Sequence, residues 1–414
     1  MTRQTVSLKK QFEVFDNSLR YRIHNLLPQL MEETGYDMWI ILCREYNEDP
    51  VFTTMIPSLC LTARRLSCLV FVKQGDHFGA YNFGRPDERL ATVYTQAYTD
   101  IKKDQMEELS AFVRKWNPQK IGINCSATFA LCDGLSKELY DKLSAALDEQ
   151  DRAKLCSAAP LAIRWIEART EEELSRYRTI YGLAMDICEE AFSRSVIVPG
   201  VTTTTEVEEW IAQEINRLGL RFWFSPHVDV QRQGLEGLGS CGEIIRHGDL
   251  LHYDVGICYF GLCSDSQRLG YVLREGETEV PQELQQGFAR TSRFQDIVAQ
   301  EHLTGRTGNE ILKYSLDRAK EEGIEASLYC HPIGFFGHSA GTVVGLWDMQ
   351  NGIGAYGDVP LHKNTCYALE LNTQSNIAMW GGQKVRFCAE ETVAFTEDGV
   401  LTYLYPGRDK IYAI

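Results

Sequence analysis

Two periods of apolar residues run along this chain, and they fall in different places. Near the start, DMWIILC (37–43), SCLVFVK (67–73) and KIGINCS (120–126) are short apolar runs closed by polar or turn residues. Runs of that length and ending read as buried strands. LSKELYDKL (135–143) has helical spacing. The interleaving predicts an α/β domain over residues 1–165.

The pattern changes near residue 166. Thr170 and Glu173 form a capping-box sequence, and apolar residues at 174, 177, 180, 184 and 187 follow at helical spacing. A second box is read at Thr205 and Glu208, ahead of Val207, Trp210, Ile211, Ile215 and Leu218, with Gly219 as the stop. Strand patterns at 249–273, helical patterns at 282–323 and strands again from 365 predict an α+β domain over residues 166–414.

Within those strands, acids stand where apolar alternation puts one packed face. In LLHYDVGICY, Leu251, Tyr253, Val255 and Ile257 alternate with His252 and Asp254. A two-residue turn at Tyr259–Phe260 would set Asp254 opposite Asp265 on one face, with Cβ atoms about 5 Å apart. Like charges so placed repel, so either one is protonated or a cation lies between them. The pattern recurs at the C-terminal end. A turn centred on Trp380 sets Glu370 opposite Glu390, while Val385, Phe387, Ala389, Val393 and Phe395 mark the packed face. Between the two hairpins lies HPIGFFGHSAG, with His338 flanked by glycine. Four carboxylates and one imidazole form a hard-oxygen set suited to divalent metals, and four carboxylates can neutralise two of them.

Composition narrows the field. A net charge of -15 over 414 residues argues against a nucleic-acid binder. None of the 13 cysteines forms a C-x-x-C pair, and most sit in apolar runs, which speaks against a thiolate zinc site and for a reducing compartment. The N-terminus has no apolar signal core and no run reaches about 18 apolar residues, so the chain reads as cytoplasmic, without a membrane partner. GLGSCG (237–242) has the dinucleotide spacing but runs straight into a strand, so it reads as a loop.

The order of the acids resembles the pita-bread metallohydrolases: methionine aminopeptidase, aminopeptidase P, prolidase and creatinase. Their pattern begins D-x-G and continues, eleven residues on, with D-x-T-R; here DVG (254–256) precedes DSQR (265–268). GHSAG (337–341), ALEL (368–371) and EET (390–392) match the later elements, and residues 1–165 resemble the N-terminal domain of the creatinase, prolidase and aminopeptidase P branch. The resemblance implies metal ligands Asp254, Asp265, His338, Glu370 and Glu390, with Glu391 as runner-up for the last. It also implies two divalent ions (manganese favoured over cobalt or zinc) and a homodimer. The reaction it implies is peptide hydrolysis by a metal-bridged hydroxide, as in an Xaa-Pro aminopeptidase or dipeptidase. Glu370 would be the general base; His331 a substrate or proton-shuttle group, or else a turn histidine; His227 a substrate-side histidine. The alternatives are a metal-free creatinase-like amidinohydrolase and a non-enzymatic scaffold. Three positions depart from the pattern. Gln267 replaces the usual threonine, Trp347 falls where the peptidases carry a substrate histidine, and Cys388 stands where they carry arginine.

Overall fold

A computed structural model describes residues 4–414 and divides them into two compact units, Val6–Ile166 and Glu167–Ile414, the latter joined by the first described residues. In the first unit a six-stranded mixed sheet runs in the order Thr95–Gln96, His77–Asn82, Ser67–Gln74, Met38–Cys43, Ile121–Ile123, Leu155–Ser157. The three strands expected from apolar runs are among them. The helix Lys137–Ala146 covers the stretch read as helical and is capped by Ser136. Helices Leu8–Tyr21 and Leu27–Thr34 open the unit; Leu8, Phe12, Phe15 and Leu19 recur at helical spacing behind the Ser7 cap, a signal the sequence reading passed over.

In the second unit the helix Glu171–Ala191 starts at the Thr170–Glu173 capping box as expected. The next helix starts two residues earlier than expected. Thr203 is its cap, and its side chain and that of Glu206 exchange bonds with each other's backbone N–H. Thr205 therefore lies inside the first turn. Glu208 instead accepts the backbone N–H of Val228, at 2.9 Å.

The main sheet of this unit carries six strands in the order Glu325–Pro332, Thr365–Ile377, Gln383–Phe395, Gln267–Tyr271, Leu250–Asp254, His227–Gln231, with two short strands attached. Period two sorts its side chains. Leu251, Tyr253 and Val255 join a core built on helices Glu171–Ala191 and Thr204–Arg217, while Leu250, Leu269, Leu369 and Phe387 join a core under helices Gln282–Glu301 and Gly308–Glu321. Helices thus cover both faces. His252 and Asp254 share the second face but lie beyond its apolar part. Among the described residues no helix is long and apolar enough to cross a membrane.

A buried ion pair ties two central strands together on the first face. Arg268 Nη1 lies 2.8 Å from Glu391 Oε1, with both side chains almost fully buried. Tyr181 donates its hydroxyl to Glu391 Oε2 at 2.8 Å, and Arg268 also donates to the carbonyl of Glu390 at 2.9 Å. This pair predicts an asymmetric mutational response. Glu391→Ala strands a buried guanidinium and should cost about 3–5 kcal/mol, whereas an apolar Arg268→Met/Glu391→Leu double variant should cost far less. Denaturant unfolding of the metal-free chain measures both; equal losses would contradict the pairing.

Candidate metal centre

The first acidic hairpin bends where its acids sit. Beyond Asp254 and before Gln267 its strands leave the main sheet and enter a three-stranded one, as Ile257–Tyr259 and Leu262–Cys263. The turn residues are Phe260 and Gly261, both with positive φ (53° and 76°), as a tight two-residue hairpin turn requires. The expected turn at Tyr259–Phe260 is therefore one residue early. Asp254 pairs across the strands with Gln267 rather than with Asp265. The second hairpin has the expected register, with Glu370 opposite Glu390.

Trp223 holds the bend against the histidine loop. Its indole donates to the carbonyl of Ser264 at 2.9 Å. A Cβ added at Gly256 would lie 2.0 Å from that indole nitrogen, and one at Gly337 would lie 2.2 Å from the same ring. Gly256 of DVG and Gly337 of GHSAG are there because both backbones press on one side chain.

Three ligand atoms converge in this bend. One oxygen each from Asp265 and Glu390 and a ring nitrogen of His331 lie within 4.8 Å of one another, and all three residues are buried. His331 Nε2 is 3.6 Å from Asp265 Oδ2 and 3.9 Å from Glu390 Oε1. The other ring nitrogen of His331, Nδ1, lies 3.1 Å from the carbonyl of Pro332, which it can only approach as a donor. The Nε2 lone pair then faces the acids. Burial lowers the His331 pKa and favours that neutral ring. Neither His331 Nε2 nor either carboxylate oxygen of Glu390 has a hydrogen-bond partner among the described residues. Buried polar atoms normally have one. A divalent cation satisfies all three at once, so the donor set fits a metal.

The histidine nearest the acids is thus His331, where the sequence pattern pointed to His338. The strand Glu325–Pro332 carries His331 into the sheet opposite Ala368, whereas His338 sits on the loop beyond it and is exposed. His338 stays close, with its ring 4.7 Å from that of His331 and 5.0 Å from that of Trp223. Glu391 lies on the opposite face with Arg268 and is not part of the group. Thr392 bonds both backbone groups of Asp265, at 3.0 and 2.8 Å, and fixes where that acid stands.

Asp254 and Glu370 flank the three converging residues and keep some contact with solvent. They are joined by Gln267, whose Nε2 donates to Asp254 Oδ2 at 3.3 Å and to Glu370 Oε1 at 2.9 Å. His252 Nε2 meets Gln267 Oε1 at 3.1 Å, and its Nδ1 meets Asp229 Oδ2 at 3.0 Å. His227, exposed at the start of its strand and paired with Asp254, reaches Asp229 at 3.4 Å and Glu208 at 3.5 Å, not the acids. Burial opposes charge on His252, but its bond to Asp229 outweighs this and raises its pKa. Burial first, then repulsion from Asp265, raises the Asp254 and Glu390 carboxyls well above their usual range. Burial brings Asp265 to about 7 and raises Glu370 as well.

Sequence reasoning passed over His252, Asp229, Trp223 and Tyr329. His252 and Tyr329 each stand two residues before a site residue, so the alternation that marked Asp254 carried their signal too. Trp347, expected beside substrate, is 79% exposed. Cys388 is buried two residues before Glu390 on the same strand.

The sequence profile of metallopeptidase family M24 matches residues 179–401. No curated protein matches the chain by sequence. Among solved structures, an X-Pro aminopeptidase from Thermotoga maritima superposes with TM-score 0.66 at 15% identity, covering 93% of this chain and 100% of its own. An Xaa-Pro dipeptidase from Bacillus anthracis gives 0.62 at 18%, covering 99% and 100%. The N-terminal domain of a FACT complex subunit from chickpea (Cicer arietinum) gives 0.58 at 10%, covering 97% and 99%. These likenesses establish a shared fold. With the profile spanning more than half of its residues, the chain belongs to metallopeptidase family M24.

Proposed function

We propose that this protein is a divalent-metal-dependent peptidase of the Xaa-Pro aminopeptidase or dipeptidase kind. The observation that carries the reading is the convergence of ligand atoms from Asp265, His331 and Glu390, with those of His331 and Glu390 lacking hydrogen-bond partners among the described residues. Asp254 and Glu370 complete the acidic set. An oxygen-rich group with one imidazole favours manganese, with cobalt and zinc as alternatives. A cation held there supplies Lewis acidity, polarising a scissile carbonyl and acidifying water.

The chain's own residues do the rest. Glu370 is the general base: it takes a proton from the attacking water and returns it to the departing amine, as the water oxygen bonds to carbon and the C–N bond breaks. Burial has already moved its carboxyl toward neutral pH, where such a group works best. To His338, seven residues after His331 and exposed beside it, we assign the substrate contact first read at Trp347. Trp223 and Tyr329 pack around the two imidazoles and shape the floor.

Three outcomes follow from this assignment. Asp265→Ala should abolish turnover, and manganese should raise the wild-type melting temperature by several degrees by binding only the folded chain; full activity and unchanged melting in excess chelator would refute the reading. His331→Ala should lose bound metal, while His338→Ala keeps it and loses about 10²–10⁴-fold in kcat; metal analysis of both variants decides which histidine is which. Finally, Cys388 cannot grip a substrate carboxylate as an arginine does. A tripeptide with proline second should therefore be cleaved with higher kcat/KM than Xaa-Pro dipeptides, as a peptide panel including creatine measures.

A further inference from the structure

We infer that Gln267 occupies the place of a second cation, so that the centre binds one divalent ion per chain. This rests on the metal reading above and replaces the two-ion expectation.

The five candidate ligands are not equivalent. The atoms left without partners belong to Glu390 and His331, at one end of the group. At the other end, Asp254 Oδ2 and Glu370 Oε1 already accept the Gln267 amide, at 3.3 and 2.9 Å. The two N–H bonds of a single amide nitrogen serve one carboxylate each. A metal ion sits about 2.0–2.2 Å from a carboxylate oxygen. Along the lone pair that already receives an N–H at 2.9 Å, an ion and the amide nitrogen would overlap. Binding a second ion along those lone pairs therefore requires the amide to leave.

The amide is held against leaving. The sheet register sets Gln267 directly opposite Asp254 on one side and Glu390 on the other, so its side chain rises between the acids. It is 4% exposed. Its orientation is fixed by its carbonyl end, because a carboxylate would repel Oε1 and His252 Nε2 faces that oxygen at 3.1 Å. His252 is itself held by Asp229, at 3.0 Å from its other nitrogen. A threonine at 267 is shorter and has no second N–H, so it could neither bridge the two acids nor reach His252 in the same way.

Metal content after equilibrium dialysis against manganese, read by elemental analysis, together with the electron paramagnetic resonance spectrum, tests this. The wild type should hold one ion per chain with the six-line signal of isolated manganese. Gln267→Thr should hold two, with the broadened spectrum of an exchange-coupled pair. Two coupled ions in the wild type would overturn the inference while leaving the metal reading intact. One ion in both proteins would show that the amide does not set the count. No ion in either would overturn the metal reading and this inference with it. Should Gln267→Thr fail to fold, Gln267→Ala, which also lacks the bridging amide, should hold two ions in the same measurement, and one ion there would overturn the inference.

Discussion

The second unit is organised around a repulsion. Asp254, Glu370 and Glu390 stand on one face of one sheet, where the strand register leaves their spacing no freedom: Glu370 faces Glu390, and Gln267 lies between Glu390 and Asp254. Asp265 joins them from the bend, where Thr392 bonds both of its backbone groups. At an effective dielectric of 20, two charges 5 Å apart repel by about 3 kcal/mol. No ordinary loop would hold such a set. A sheet packed by helices on both faces can, because moving one acid away means breaking ladder bonds and reopening two apolar cores. Burial first, and repulsion among the acids after it, raise the Asp254 and Glu390 carboxyls, so the group relieves part of its repulsion by retaining protons.

The same sheet isolates the acids from the cations that would otherwise quench them. Neighbouring residues of a strand point to opposite faces, so Glu390 and Glu391 do opposite work. Glu391 meets Arg268 and Tyr181 in a closed ion pair. Glu390 points away from that arginine, and Arg268 reaches only its backbone carbonyl. One residue of slippage in this strand would exchange the two, pairing Glu390 with arginine and leaving Glu391 among the acids. The buried pair thus works as a register lock.

How far the chain could be read in advance depended on turn chemistry. The pairing of Glu370 with Glu390 was legible because long alternating strands run up to a marked turn at Trp380. The first hairpin was harder, since its turn lies in the apolar stretch Tyr259–Phe260–Gly261, where the positive φ of Phe260 has no polar or glycine signal. Moving that turn by one residue puts Gln267 rather than Asp265 opposite Asp254. That His331 rather than His338 lies nearest the acids was hidden for a related reason. Glycines around His338 suggested backbone close to a ligand, but Gly337 is there for Trp223, and the imidazole that enters the acid cluster comes from the strand before it. The caps show the limit at its smallest scale: four consecutive threonines at 202–205 offered two capping boxes, and the helix that buries Val207, Ile211 and Ile215 starts from Thr203.

The departure at Gln267 and the histidine at 252 make sense only together. An amide set among carboxylates can turn either end toward them, and the wrong end adds a fifth acceptor to four. Nothing within Gln267 chooses. His252 chooses, because it stands on the neighbouring strand diagonal to Gln267 and offers an N–H to the carbonyl end. Asp229, on the next strand, then holds the imidazole from behind. Three adjacent strands therefore contribute one residue each to a line whose end is an oriented N–H pair aimed at Asp254 and Glu370. That line supplies positive dipole where a bare acid pair would need an ion. It does so without reaching Asp265, His331 or Glu390, whose facing atoms stay unpartnered in His331 and Glu390 alike. The centre is thereby divided into a half that the protein neutralises itself and a half whose only adequate partner is a cation.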